Sequence, residues 1–158
     1  MWCRRLCAAL QKETSMLTRM MMVPLMMLAF LAMSCSVQND PNRNSGDNAT
    51  RLGAEEIPVG RTIIDNVSYV DGDMTDWKYF RVPLQGIVEV TIAFDNPAGK
   101  GVVIVRDATG LQISRIEHRA EPRLQTTFRA DPGVYYLEIY VEVERSDYTL
   151  EVLFEQDY

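Results

Sequence analysis

The sequence is poor in the groups that carry chemistry. It has one His and three Cys in 158 residues, too few for a thiol and imidazole set of the kind that holds zinc. It lacks a basic balance: 16 Lys plus Arg stand against 22 Asp plus Glu, a formal net charge of −6. A nucleic-acid binder needs a basic face, so that class is excluded. No apolar run reaches the ~20 residues that a transmembrane helix needs. No nucleophile, base and orienting acid stand in a recognisable pattern. The length allows one ordinary domain plus an appendage.

What is present begins with an address. Met20 to Ser34 reads MMMVPLMMLAFLAMS, 15 residues without a charge, preceded by Arg4, Arg5, Lys12 and Arg19 with only Glu13 opposing them. Positive charge, a short apolar core and then small residues form a secretory signal, and residues 1–34 are assigned to it. Pro24 weakens the run further as a membrane span. A buried core helix is the competing reading, but no polar face interrupts the run. Met16-Leu17-Thr18-Arg19 is a more typical beginning for such a signal than Met1, so residues 1–15 are expected to come from an upstream start codon. Cys3 and Cys7 leave with the signal in either case. The mature chain then has no intramolecular disulfide.

Leu31-Ala32-Met33-Ser34-Cys35 resembles a bacterial lipobox, with Ala32 where Leu is commonest. The resemblance implies a diacylglyceryl group on the Cys35 thiol, cleavage between Ser34 and Cys35, and fatty acylation (palmitate-type) of the new amino group. The competing reading is an ordinary signal that ends near a Cys. Each buried CH₂ contributes ~0.8 kcal/mol, and two or more chains anchor stably where one does not. Ser36 stands where Asp would mark retention in the inner membrane of proteobacteria, which points to the outer membrane. Losing 1–34 removes four basic residues and one acidic residue, leaving 12 and 21 and a net charge of −9.

Residues 35–58 read as a lipidated N-terminus and flexible linker. Ser36 to Glu56 is dominated by Asn, Asp, Ser, Gly and Pro, with only Val37 and Leu52 as larger aliphatics. Such a segment buries too little apolar area to offset its ordering entropy. As a coil of ~22 residues it would reach ~26 Å.

Residues 59–158 alternate with period two, which predicts strands. Val88, Val90, Ile92 and Phe94 share one face; Leu124, Thr126 and Phe128 share another; so do Tyr148, Leu150 and Val152. Val102 to Val105 is a continuous apolar run, as in a strand buried on both faces. Turn residues at 83–86, 95–99, 107–110 and 131–133 separate the runs. About eight strands follow, near 61–67, 77–83, 87–95, 101–107, 111–117, 123–129, 133–143 and 146–154. Their spacing predicts an all-β, antiparallel sandwich. The expected core includes Phe80, Val82, Val88, Val90, Ile92, Phe94, Val103, Val105, Leu111, Ile113, Leu124, Phe128, Tyr135, Leu137, Ile139, Tyr148, Leu150 and Val152.

Four features in order carry a family resemblance: Asp76-Trp77-Lys78-Tyr79-Phe80, Val103-Ile104-Val105-Arg106-Asp107-Ala108-Thr109-Gly110, Asp131-Pro132-Gly133-Val134-Tyr135-Tyr136 and Tyr148-Thr149-Leu150. The stretch from about 60 to 154 resembles the bacterial pre-peptidase C-terminal domain. The resemblance implies a jelly-roll-like β-sandwich and an accessory, non-catalytic role. Some relatives bind calcium, collagen or polysaccharide. No catalytic domain accompanies the module here.

Asp71-Gly72-Asp73-Met74-Thr75-Asp76 places three carboxylates in one turn. Asp71, Asp73 and Asp76 are a candidate Ca²⁺ site, since calcium takes six to eight oxygens and a Gly-bearing loop can wrap it. A solvated acidic turn is the alternative. Trp77, Tyr79, Tyr136 and Tyr140 either point away from the core, where they would stack on a sugar or peptide, or pack under loops. His118 reads as a surface residue. Three functions stay open. One is a non-catalytic binding module for an envelope protein, a glycan or calcium. Another is a structural subunit of an envelope assembly that offers an edge strand. The third is an enzyme built on Glu138 or Asp76 with a second acid.

Overall fold

The computed structural model describes residues 40–118 and 123–157. The signal segment, the Cys35 lipidation site and the first linker residues lie outside the described residues. Nine strands follow in order: β1 (Glu55–Glu56), β2 (Thr62–Ser68), β3 (Thr75–Val82), β4 (Gly86–Phe94), β5 (Gly101–Arg106), β6 (Gln112–Glu117), β7 (Arg123–Ala130), β8 (Gly133–Val141) and β9 (Arg145–Gln156). They form two sheets, in the orders β1-β3-β8-β5-β6 and β2-β9-β4-β7. All pairings are antiparallel except β1 with β3. The fold is the β-sandwich that the alternation predicts, with β2 to β9 in the eight expected places.

Period two builds the core. Val88, Val90, Ile92 and Phe94 of β4 face Tyr135, Leu137, Ile139 and Val141 of β8 across the sandwich, all buried. Tyr148, Leu150 and Val152 of β9 complete the same layer. β5 lies between β8 and β6, which pair both of its edges, and Val102 to Val105 are all buried. The Asp107 turn between β5 and β6 is closed by its own carboxylate, whose Oδ1 accepts the N–H groups of Thr109 (2.8 Å) and Leu111 (2.9 Å).

Two members of the expected core are not in it. Leu111 is 68% exposed and Ile113 is 39% exposed. The cause is a bulge: Val105 pairs with Ser114 but Arg106 with Gln112. One extra residue inverts the phase of a strand. Ser114 and Ile116 therefore turn inward. Ile116 packs on the core, and the Ser114 hydroxyl bonds that of Thr126 at 2.8 Å.

The segment expected to be a flexible linker is folded from residue 40 onward. Short 3₁₀ turns occupy Gly46–Ala49 and Arg51–Gly53. The Asn44 N–H donates to the Gly72 carbonyl (2.6 Å) and the Met74 N–H to that of Pro41 (3.1 Å). β1 then pairs with β3, and the Ile57 N–H donates to the Tyr79 carbonyl at 2.8 Å. Ile57 itself enters the core. Apolar content understated this segment because its order comes from backbone pairing with an open strand edge, from one apolar anchor, and from polar contacts of Asn48, Glu55 and Glu56 with β3.

Candidate functional site

The five-stranded sheet has an outer face rich in rings. Antiparallel register sets Tyr140 opposite Thr75, Glu138 opposite Trp77 and Tyr136 opposite Tyr79. These side chains point away from the second sheet, because their chain neighbours point into it. Trp77, Tyr79, Tyr136 and Tyr140 are each half-buried. The Tyr79 and Tyr136 rings lie 6.1 Å apart between centroids, tilted by 45°.

Guanidinium groups border the rings. Arg106 lies 5.9 Å from the Trp77 ring centre, Arg81 lies 5.4 Å from that of Tyr79, and Arg51 lies 5.5 Å from that of Tyr136. Cations over ring faces are attracted by the π quadrupole. Arg106 also donates from Nε (3.0 Å) and Nη2 (2.7 Å) to Glu138 Oε2. The Arg106–Glu138 pair is only about a quarter exposed, which fixes both groups among the rings. Glu56 accepts from the Tyr79 hydroxyl at 2.9 Å and from Arg81 Nε at 3.1 Å. The result is a platform of aromatic faces with fixed donors and acceptors at its margin. Sequence alternation placed the rings on strands. The three arginines were missed because they come from the segment before β1, from β3 and from β5.

The opposite face of β3 carries charge into the interior. Asp76, Lys78, Phe80 and Val82 point inward, and Lys78 is 1% exposed. Its Nζ donates to Asp65 Oδ2 (2.5 Å) on β2 and Glu55 Oε2 (2.6 Å) on β1. Burial lowers the Lys78 pKa, but the hydrogen bonds to Asp65 and Glu55 outweigh it and the net shift is upward. Asp76 accepts from the Tyr148 hydroxyl (2.7 Å) and the Asn48 amide (2.8 Å). Desolvation pushes the Asp76 carboxyl up to about 6, against the lowering effects of the Tyr148 hydrogen bond and the Lys78 charge. Burial, and then the neighbouring Asp76 charge, push the Tyr148 phenol upward as well. The carboxylates considered for glycosidase chemistry, Glu138 and Asp76, are thus on opposite faces of one sheet.

The acidic turn does not gather its three carboxylates. Asp71 accepts from the Ser68 hydroxyl at 2.6 Å, Asp73 pairs with Ser68 through its backbone, and Asp76 points into the core. Among the described residues, no group of three or more His, Cys, Asp or Glu side chains is placed to hold a metal ion. The turn is closed by serine and backbone, and Asn44 donates its side-chain amide to the Asp71 carbonyl. Thermal unfolding of the full chain should therefore give the same midpoint in millimolar calcium and in EDTA. A calcium-dependent rise would restore Asp71, Asp73 and Asp76 as ligands.

His118, expected at the surface, is 5% exposed. Its ring stacks on Phe94 at 5.8 Å and 16°. It borders a cleft of about 380 Å³ together with Pro97, Lys100, Gly101 and Glu142. It was misread because it stands between charged neighbours, Glu117 and Arg119, while its own backbone N–H is tied to the Gly101 carbonyl at 2.7 Å.

No known family's sequence profile matches the chain, and no curated protein matches it. Solved structures do. The chain is similar to the pre-peptidase C-terminal domain of a collagenase from Bacillus anthracis, at 20% identity and a TM-score of 0.56, over 63% of this chain and 93% of that one. Lower likenesses are a carbohydrate-binding module of a Cellvibrio mixtus lichenase (13% identity, TM-score 0.40, 63% and 91% covered) and a periplasmic inhibitor of g-type lysozyme from Aeromonas hydrophila (10%, 0.44, 65% and 96%). The likeness to the collagenase domain is one of fold, and it agrees with the order of features in the sequence: the chain shares the β-sandwich of a pre-peptidase C-terminal domain.

Proposed function

We propose that the chain is a lipid-anchored module of the bacterial cell envelope that binds a glycan, without catalysis, on the outer face of its five-stranded sheet. The observation that carries this reading is the group Trp77, Tyr79, Tyr136 and Tyr140, held half-buried on one face beside the fixed Arg106–Glu138 pair. Sugar rings present apolar C–H faces that stack on aromatic rings and hydroxyls that need donors and acceptors at defined places. The anchor rests on Cys35 in its lipobox-like setting, and Ser36 favours the outer membrane over the inner. The described fold starts at Asp40, so residues 36–39 are all that separates it from Cys35. Fully extended, the five residue steps from Cys35 to Asp40 span ~18 Å at most. The module is then held close to the headgroups, within reach of polymers lying on the membrane.

Calorimetric titration with short neutral oligosaccharides of the cellulose and chitin types tests the reading. Binding should be lost or weakened ~10-fold, about 1.4 kcal/mol, in Trp77→Ala. Equal binding by Trp77→Ala and the parent chain would remove the platform from the account. A second reading, a structural subunit of an envelope assembly, is favoured by one observation. β6 ends its sheet, with Ile113 on it and Leu111 just before it both exposed. An added strand could pair there. Recovery of a stoichiometric envelope protein, lost on Ile113→Lys, would favour it.

A further inference from the structure

Lys78 is placed for more than an ion pair. Its side chain is 1% exposed, and its Nζ lies 2.5 Å from Asp65 Oδ2 and 2.6 Å from Glu55 Oε2. A hydrogen bond of that length sets Nζ in contact with the Asp65 carboxyl group, at the ~3–3.5 Å separation from its carbon that a near-attack arrangement needs. Lys78 and Asp65 come from different sheets, on β3 and β2, and each is held by pairing along its whole strand. Reacting groups held this way gain a large effective concentration.

We propose that Lys78 and Asp65 join through an intramolecular isopeptide bond. The Nζ–Cγ bond forms and one Cγ–O bond of Asp65 breaks. The departing oxygen takes two of the three ammonium protons and leaves as water, and the third proton stays on the amide nitrogen. No oxidant or other reactant is consumed. Glu55 is the other carboxylate touching Nζ, and it accepts a proton there and passes it to the departing oxygen. Asp65 is the acyl partner because its side chain is 34% exposed and lies on a seven-residue strand. That of Glu55 is 63% exposed and lies on a two-residue strand. Exclusion of water around Nζ disfavours hydrolysis of the product, and transfer of an ammonium proton to Glu55 supplies the amine that attacks. Asp76, the next inward residue on β3, adds a buried carboxyl to the same environment. The product would be a covalent tie between the two sheets.

Tryptic mapping of the full chain tests this. An unlinked chain is cut after Arg61 and Lys78 and yields 62–78. A linked chain resists cleavage at acylated Lys78 and yields 62–81, lighter than its sequence mass by one water, with no fragment ions from within the 65–78 ring. An imide at Asp71-Gly72 would also lose water, but it would leave Lys78 cleavable. The expected result is the light 62–81 peptide in the parent chain and its absence from Asp65→Ala. In Glu55→Gln, which keeps both reacting groups, linkage after refolding should slow ~100-fold. A parent chain that yields 62–78 with free Lys78 overturns the proposal. Linkage at the parent rate in Glu55→Gln overturns the role of Glu55.

Discussion

Adding Lys78→Met to the double variant Glu55→Ala/Asp65→Ala should make it more stable, by ~3–5 kcal/mol. Deleting a fully buried side chain ordinarily destabilises, so the sign is diagnostic. In the double variant the Lys78 ammonium, 1% exposed in the parent chain, loses both carboxylates that touch it. An uncompensated charge in an apolar interior is costly, whereas an apolar residue of similar length in its place is not. Neither variant can form a Lys78–Asp65 bond, so the comparison isolates the bare ammonium from any covalent contribution. Urea midpoints at neutral pH with equal m-values measure the difference. Equal midpoints would mean that Asp76 alone satisfies Lys78 and that the Glu55 and Asp65 contacts are incidental.

The same residues show how far the sequence could be read. β4, β8 and β9 were legible because each has one face in the core and one toward solvent, and alternation reports that geometry directly. β5 was legible from the opposite pattern, since Val102 to Val105 are all buried. On β3 the alternation that turns Trp77 and Tyr79 outward also turns Asp76 and Lys78 inward, so two charged residues at core positions were visible in the sequence. Their partners were not: Asp65 lies 13 residues from Lys78 and Glu55 lies 23 away, each on its own strand. β6 was placed correctly but read in the wrong phase, because a bulge leaves no mark in composition. Residues 40–58 were read as linker because apolar content measures side-chain burial and is blind to backbone groups completing a sheet edge. The rings of the outer face were found in sequence, whereas the arginines bordering them depend on which strands the topology makes neighbours.

Asp76 makes the stability of the fold fall as the solution passes from pH 4 to pH 6. In the unfolded chain its carboxyl titrates near 3.8; in the fold, desolvation moves this to about 6. Between those values the folded state binds more protons at this group than the unfolded state does, so raising the pH releases protons and favours unfolding. Below the lower value both states are protonated and the group is neutral in its effect. Above the upper value both are ionised and the full penalty applies. A shift of about two units corresponds to ~3 kcal/mol. Asp76→Asn keeps an acceptor for the Tyr148 hydroxyl and removes the titration. The parent chain should therefore lose ~3 kcal/mol relative to Asp76→Asn across this window, with the two profiles parallel above pH 7. Urea unfolding of both proteins at half-unit intervals from pH 4 to 7 gives the comparison. Parallel profiles throughout would show that Asp76 ionises in the fold as it does in water, and the charge would then have to be held by Lys78 and Asn48 rather than suppressed by burial.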